Sequence, residues 1–129
     1  MNKSEKEEYC PFCEIQFDII AKNNLAIAFD DMYTVAKGHT LVVPLKHTRS
    51  FFELDSRTRN ACLSLVCKMR QMILKKDRTV TGFSIGINDG FDGGQTVFHS
   101  HIHIISRRKD DVTNPRGGIR NIIPDGISY

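Results

Sequence analysis

His99-Ser100-His101-Ile102-His103-Ile104-Ile105 is the stretch on which the reading of this chain turns. Three of the five histidines of a 129-residue protein fall within these seven positions, at every second residue. On a β-strand successive side chains point to opposite faces. The three imidazoles then share one face, with neighbours about 6.6 Å apart, and Ser100, Ile102 and Ile104 face the other way. Imidazole, with an ordinary pKa of about 6.5, acts near neutral pH as nucleophile, proton carrier or metal ligand. Crowding three of them lowers each pKa and keeps them mostly neutral, which leaves ring lone pairs available. Metal coordination and nucleophilic attack both need such a lone pair. By itself the triplet is therefore compatible with a metal site, a catalytic site or a merely structural strand.

Working outward, Phe91-Asp92-Gly93-Gly94-Gln95 is a glycine-containing loop that feeds the triplet. Before it, Phe83, Ile85 and Ile87 alternate as a strand ending at Asn88-Asp89-Gly90, and the two strands are expected to pair. Leu25 to Phe29 and His39 to Pro44 read as shorter strands, the second stopped by its proline. Asn23-Asn24 is a turn signal, and Glu14 to Lys22 reads as one or two helical turns. Asp55 or Ser56 caps one clear helix running to about Lys76. Along it Cys62, Leu65, Val66, Met69, Met72 and Ile73 recur at three and four, making one apolar stripe. Cys62 and Cys67 lie about 140° apart around that helix and read as small core residues. Strands joined by short turns around one long helix make an α+β domain on an antiparallel sheet.

Composition sets the class. The length suits a single domain over residues 9–129, with residues 1–8 a frayed, charged tail and a basic, turn-rich C-terminal tail from about Arg107. A net charge of +3 is too small to argue for nucleic-acid or membrane partners, though it suits a small anionic substrate. No apolar run approaches the length of a membrane span, and the N-terminus lacks the apolar centre of a signal peptide. Four cysteines fit the reducing cytoplasm, where a close pair such as Cys10-Pro11-Phe12-Cys13 more often marks a metal than a disulfide. Two thiols supply half of a four-ligand zinc site.

Taken together, Asn88-x-Gly90-x-x-Gly93-Gly94-Gln95-Thr96-Val97-x-His99-x-His101-x-His103-Ile104-Ile105 resembles the signature of the histidine triad superfamily of nucleotide hydrolases and transferases. Phe29-x-Asp31 and Gly38-His39-Thr40-Leu41-Val42-Val43-Pro44-x-x-His47 resemble it too, in the expected order, and the match runs from about Cys10 to Pro124. The resemblance implies an α+β fold with a five-stranded antiparallel sheet and two helices, paired across a homodimer. It implies attack on the α-phosphate of a dinucleoside polyphosphate, or a similar adenosine or other purine nucleotide conjugate, through a covalent nucleotidyl-histidine. Carried over by position, His101 is the nucleophile. The residues agree, since only the middle imidazole has a neighbour on each side to fix its tautomer. His103 and His39 would assist proton transfer. Thr96 and the backbone N–H groups around Gly94 and Gln95 would hold phosphate oxygens, with Asn88 nearby. Asp31 would accept the ribose hydroxyls, and Phe12, Ile15, Leu25 and Ile27 would wall the base pocket.

The resemblance also implies that His47 and His99 join Cys10 and Cys13 in a closed Cys₂His₂ structural zinc site, with no organic cofactor. The segment from Asn114 to Pro124 is similar to tails of dinucleoside polyphosphate hydrolases, which would bring Arg116 or Arg120 to a distal phosphate. Two positions depart from the common pattern: Ser100 where an aliphatic residue is usual, and Ser106 where proline often follows the triad. Alternatives are a purine nucleoside phosphoramidase of the same family, a nucleotide-binding regulator with little turnover, and an enzyme whose triad itself carries a catalytic metal.

Overall fold

The computed structural model describes residues 9–31 and 37–123; the expected tail at 1–8 and Pro124 lie outside them. Five strands form one antiparallel sheet: β1 (Ile19–Lys22), β2 (Ala26–Asp30), β3 (Thr40–Pro44), β4 (Val80–Gly86) and β5 (Ile102–Arg108). Their spatial order is β1-β2-β3-β5-β4. The strands flanking the glycine loop do pair, with Gly86 opposite His103 and Ser84 opposite Ile105. β3 lies between β2 and β5 and is buried along its whole length.

One α-helix, α1 (Ser56–Lys76), packs on one face of the sheet. Asp55 caps it by accepting the Thr58 N–H at 2.8 Å, which satisfies a donor that the first turn leaves unpaired. Most of the apolar stripe is its buried side: Cys62, Leu65, Val66 and Met69 meet Ala26, Ala28, Val42, Ile102 and Ile104, with Ile73 partly buried against them, whereas Met72 near the end of the stripe is exposed. Burial pushes the Cys62 thiol up to about 11. Cys67 is exposed, so it is not the core residue expected of it: a step of five residues carries it off the stripe.

Residues of opposite parity form a second layer on the other face. Ile27, Phe29, Leu41 and Val43 are buried there beneath Phe12, Ile15 and Phe17. The N-terminal segment therefore covers the sheet without forming the helical turns expected of Glu14 to Lys22. A turn at Cys10 to Glu14 gives way to the edge strand β1, where β-branched Ile19 and Ile20 favour extended backbone. The α-helix count among the described residues is one, not two; the remaining helical pieces are 3₁₀ turns at Phe51–Glu53 and Gly118–Ile122. The strand also starts later than the triplet suggested. Only His103 lies within β5, because the Ser100 N–H turns aside to the Thr48 carbonyl at 2.7 Å.

Ser106 has a visible use. Its hydroxyl donates to the Gly38 carbonyl at 3.1 Å. Gly38 has φ +87, and a Cβ there would stand 2.7 Å from Ser106 Oγ. The close approach of this loop to β5, just before His39, needs glycine on one side and a small residue on the other.

Candidate active site and metal centre

His39 just before β3, His101 just before β5 and His103 within β5 lie on the face opposite α1, and His103 contacts both of the others. His101 Nδ1 is 2.8 Å from the His99 carbonyl oxygen. A carbonyl only accepts, so Nδ1 carries the proton and Nε2 of the neutral ring keeps its lone pair. Burial lowers the pKa of His101, opposed by the His99 hydrogen bond and the Asp31 charge. The His103 ring lies 5.0 Å away at 63°.

His39 Nε2 lies 3.0 Å from His103 Nδ1 and 3.6 Å from an Asp31 carboxylate oxygen. The carboxylate favours a proton on His39 Nε2, which then donates to His103 Nδ1. In a neutral His103 the proton consequently sits on Nε2, a buried atom with no hydrogen-bond partner in the protein. An orphaned donor beside a bare lone pair is costly in a finished core and useful in a site that binds an anion. Burial first, then the neighbouring His101 and His39, lowers the His103 pKa to about 4 against the pull of Asp31.

Cys10, Cys13, His47 and His99 converge next to this group, with ligand atoms all within 4.8 Å of one another. His99 donates from Nε2 to the Pro44 carbonyl at 2.8 Å, which leaves Nδ1 to face the thiols. The sulfur-to-nitrogen separations are 3.6 Å for Cys10 and His99, 3.5 Å for Cys13 and His99, and 3.1 Å for Cys13 and His47. A tetrahedral zinc with ordinary bond lengths spans about 3.5 Å between sulfur and nitrogen ligands. The donor set and its spacing fit that ion.

A HIT domain model matches residues 13–110. The chain belongs to the HIT domain family. An uncharacterized HIT-like protein of Mycoplasma genitalium is 41% identical over 103 residues, covering 76% of this chain and 72% of that protein. The asymmetrical bis(5'-nucleosyl)-tetraphosphatase of Schizosaccharomyces pombe is 32% identical over 106 residues, covering 82% of this chain and 58% of the enzyme. Among solved structures, a zinc-bound histidine triad family protein from Mycobacterium smegmatis superposes with a TM-score of 0.75 at 27% identity, covering 84% and 80% of the two chains.

Other residues expected in the site of this HIT domain protein stand as follows. Asp31 sits beside the imidazoles, with a carboxylate oxygen 3.6 Å from His39 Nε2. Asn88 is exposed next to Gly94, whose Cβ position lies 3.8 Å from Asn88 Cγ. The N–H groups of Gly94 and Gln95 are engaged inside the loop, donating to the Phe91 and Gly90 carbonyls at 3.0 Å each. That use departs from the expected phosphate cradle: the tight turn consumes its own donors. The Gln95 side chain is buried and latches the loop, accepting from Gly90 N–H at 2.9 Å and donating to the Arg49 carbonyl at 2.8 Å. Thr96 is exposed and lines a small cleft of about 150 Å³ with Tyr9, Cys10, Pro11 and His47, on the metal side. Of the expected base-pocket walls, Phe12, Ile15 and Ile27 belong to the second layer, while Leu25 sits at the turn held by Asn23 and is not part of it. The carbonyls of Pro44 and His99, which orient two of the histidines, were missed from the sequence. Being main-chain atoms, they leave no residue signal to find.

Proposed function

We propose that this protein is a nucleotide hydrolase or transferase that attacks the α-phosphate of a dinucleoside polyphosphate or similar adenosine nucleotide conjugate through a nucleotidyl-His101 intermediate. The observation that carries the reading is the His101 ring, with Nδ1–H tied to the His99 carbonyl and the Nε2 lone pair bare. In the reaction Nε2 bonds to the α-phosphorus while the bridging P–O bond breaks, its electron pair leaving with the second product. His103 Nε2–H donates to the departing oxygen, held in that tautomer by His39 and Asp31. Water then forms a new P–O bond, the P–Nε2 pair returns to His101, and the water's proton passes to solvent. A His103 that stays neutral suits a leaving group that departs as an anion, which supports a polyphosphate over a phosphoramidate. The likeness to a bis(5'-nucleosyl)-tetraphosphatase supports the same choice. Asn88, Thr96 and the Gly94 and Gln95 loop border the phosphates, and Asp31 serves both ribose and imidazoles.

Cys10, Cys13, His47 and His99 hold a structural zinc ion, closed to substrate because all four positions are protein ligands. The protein acts in the cytoplasm, where thiol ligands stay reduced, and as a homodimer. No helix among the described residues is long and apolar enough to cross a membrane.

Replacing His101 with alanine is expected to reduce turnover by about 10³-fold or more while nucleotide binding persists, and rapid quenching of the wild type should trap one nucleotidyl increment on His101. Near wild-type turnover in the variant defeats the reading. A second reading places a catalytic ion on Asp31, His39 and His103, whose ligand atoms also lie within 4.8 Å. Metal analysis separates them: one ion per chain, lost in a Cys10→Ser variant, supports the first, and a second ion with chelator-sensitive chemistry the other.

A further inference from the structure

The turn that supplies two metal ligands also carries an aromatic ring into the reaction centre. Phe12 lies between Cys10 and Cys13, in a turn closed by the N–H groups of Cys13 and Glu14 on the Cys10 carbonyl, at 3.1 and 3.2 Å. Its ring packs on Phe29 at 5.5 Å between centroids. It also meets two histidines of the triplet nearly edge-on, His99 at 5.9 Å and 80° and His101 at 5.1 Å and 73°. One hydrogen bond at Nδ1 fixes the tautomer of His101 and leaves the ring free to tip about that bond. Two ring contacts, from Phe12 and from His103, fix its plane. The turn itself is tied to the loops bearing His47 and His99 through its two thiols.

We propose that Phe12 is a positioning residue for His101, and that the Cys10/Cys13/His47/His99 centre holds Phe12 in place, so that metal loading governs the orientation of the nucleophile. This rests on His101 being the nucleophile. The metal then does more than brace the fold. With an ion bound, the thiolates, His47 and His99 are fixed to one point, and the residue between the cysteines has one place to go. Without it, Phe12 keeps only its packing on the apolar layer around Phe29, and the wall beside His101 loosens.

The test compares Phe12→Ala, Phe12→Leu and Phe17→Ala in the zinc-loaded protein. Phe17 stacks on the same Phe29 at 5.3 Å from the other part of the segment, so its loss perturbs the layer alone. Phe12→Ala should lower kcat by about tenfold or more and change KM by less than about twofold, with metal content unaltered. Phe12→Leu should restore part of kcat, and Phe17→Ala should retain it. The second readout is the ¹H spectrum of the His101 ring, assigned by its absence in His101→Ala. Chelating the wild type should move these signals toward their positions in Phe12→Ala. A rise in KM with kcat unchanged makes Phe12 a pocket wall only and overturns the proposal, as do His101 signals that ignore metal removal. If the wild type turns over no nucleotide, the functional reading fails separately, and the spectra still decide this one. If Phe12→Ala does not fold, Phe12→Leu and the chelated wild type give the same decision.

Discussion

His103 is where the electrostatics of the site are most legible. Burial and two neighbouring imidazoles hold its pKa at about 4, below the value of about 6.5 expected in an unfolded chain. Above pH 6.5 the ring is neutral in both states and contributes nothing to pH dependence. As pH falls from there toward 4, the unfolded chain takes up a proton that the folded protein refuses, so stability declines through that window and levels off below it. Urea midpoints measured from pH 7.5 to 4.5 should show this fall, with a shallower slope in His103→Gln. The same shift places the acid limb of kcat/KM, which reports the free enzyme, below the usual histidine range. A limb near pH 6.5 in the pH–rate profile contradicts that assignment.

Among the elements, the Gly90 to Gln95 loop carries the sharpest steric demand. A Cβ on Gly93 would lie 2.4 Å from the Asp89 carbonyl oxygen, a backbone atom that cannot swing away, and Gly94 has φ +94. Gly93→Ala is therefore expected to displace the loop and lower both Tm and kcat/KM, the latter by about tenfold or more. A variant with wild-type melting and kinetics would mean that the loop neither requires glycine there nor borders the substrate. The sequence announced this loop through its glycines, and α1 through its apolar repeat and the Asp55 cap. β3 and the pairing of β4 with β5 were legible from β-branched runs, alternation and the glycine-containing loop that joins the two strands. The edge strand β1 was not, because four residues hold too few alternations to separate a strand from a helical turn. The grouping of Cys10 and Cys13 with His47 and His99 spans up to 89 residues, and periodicity says nothing at that range. Only the family pattern brought them together.

On the scale of the whole molecule, the sheet is open at β1 and β4 among the described residues, and the segment after β5 returns toward β4, where Ile119 approaches Gly86. Ile119, Ile122 and Ile123 remain exposed there, at 54%, 75% and 67%. Apolar side chains beside an unpaired strand favour a second copy as cover. Light scattering on the eluting protein should give twice the chain mass, falling to one in Ile122→Asp; a monomeric wild type overturns the homodimer. The arrangement of His99 has a wider consequence for redesign. Its imidazole faces the thiols of the candidate metal centre, while the oxygen that orients His101 belongs to the peptide group and survives any substitution at position 99. The donor chemistry of the ion site is thus free to vary, by exchange of histidine for cysteine or by loss of the ligand, without erasing the proton placement on which the nucleophile depends.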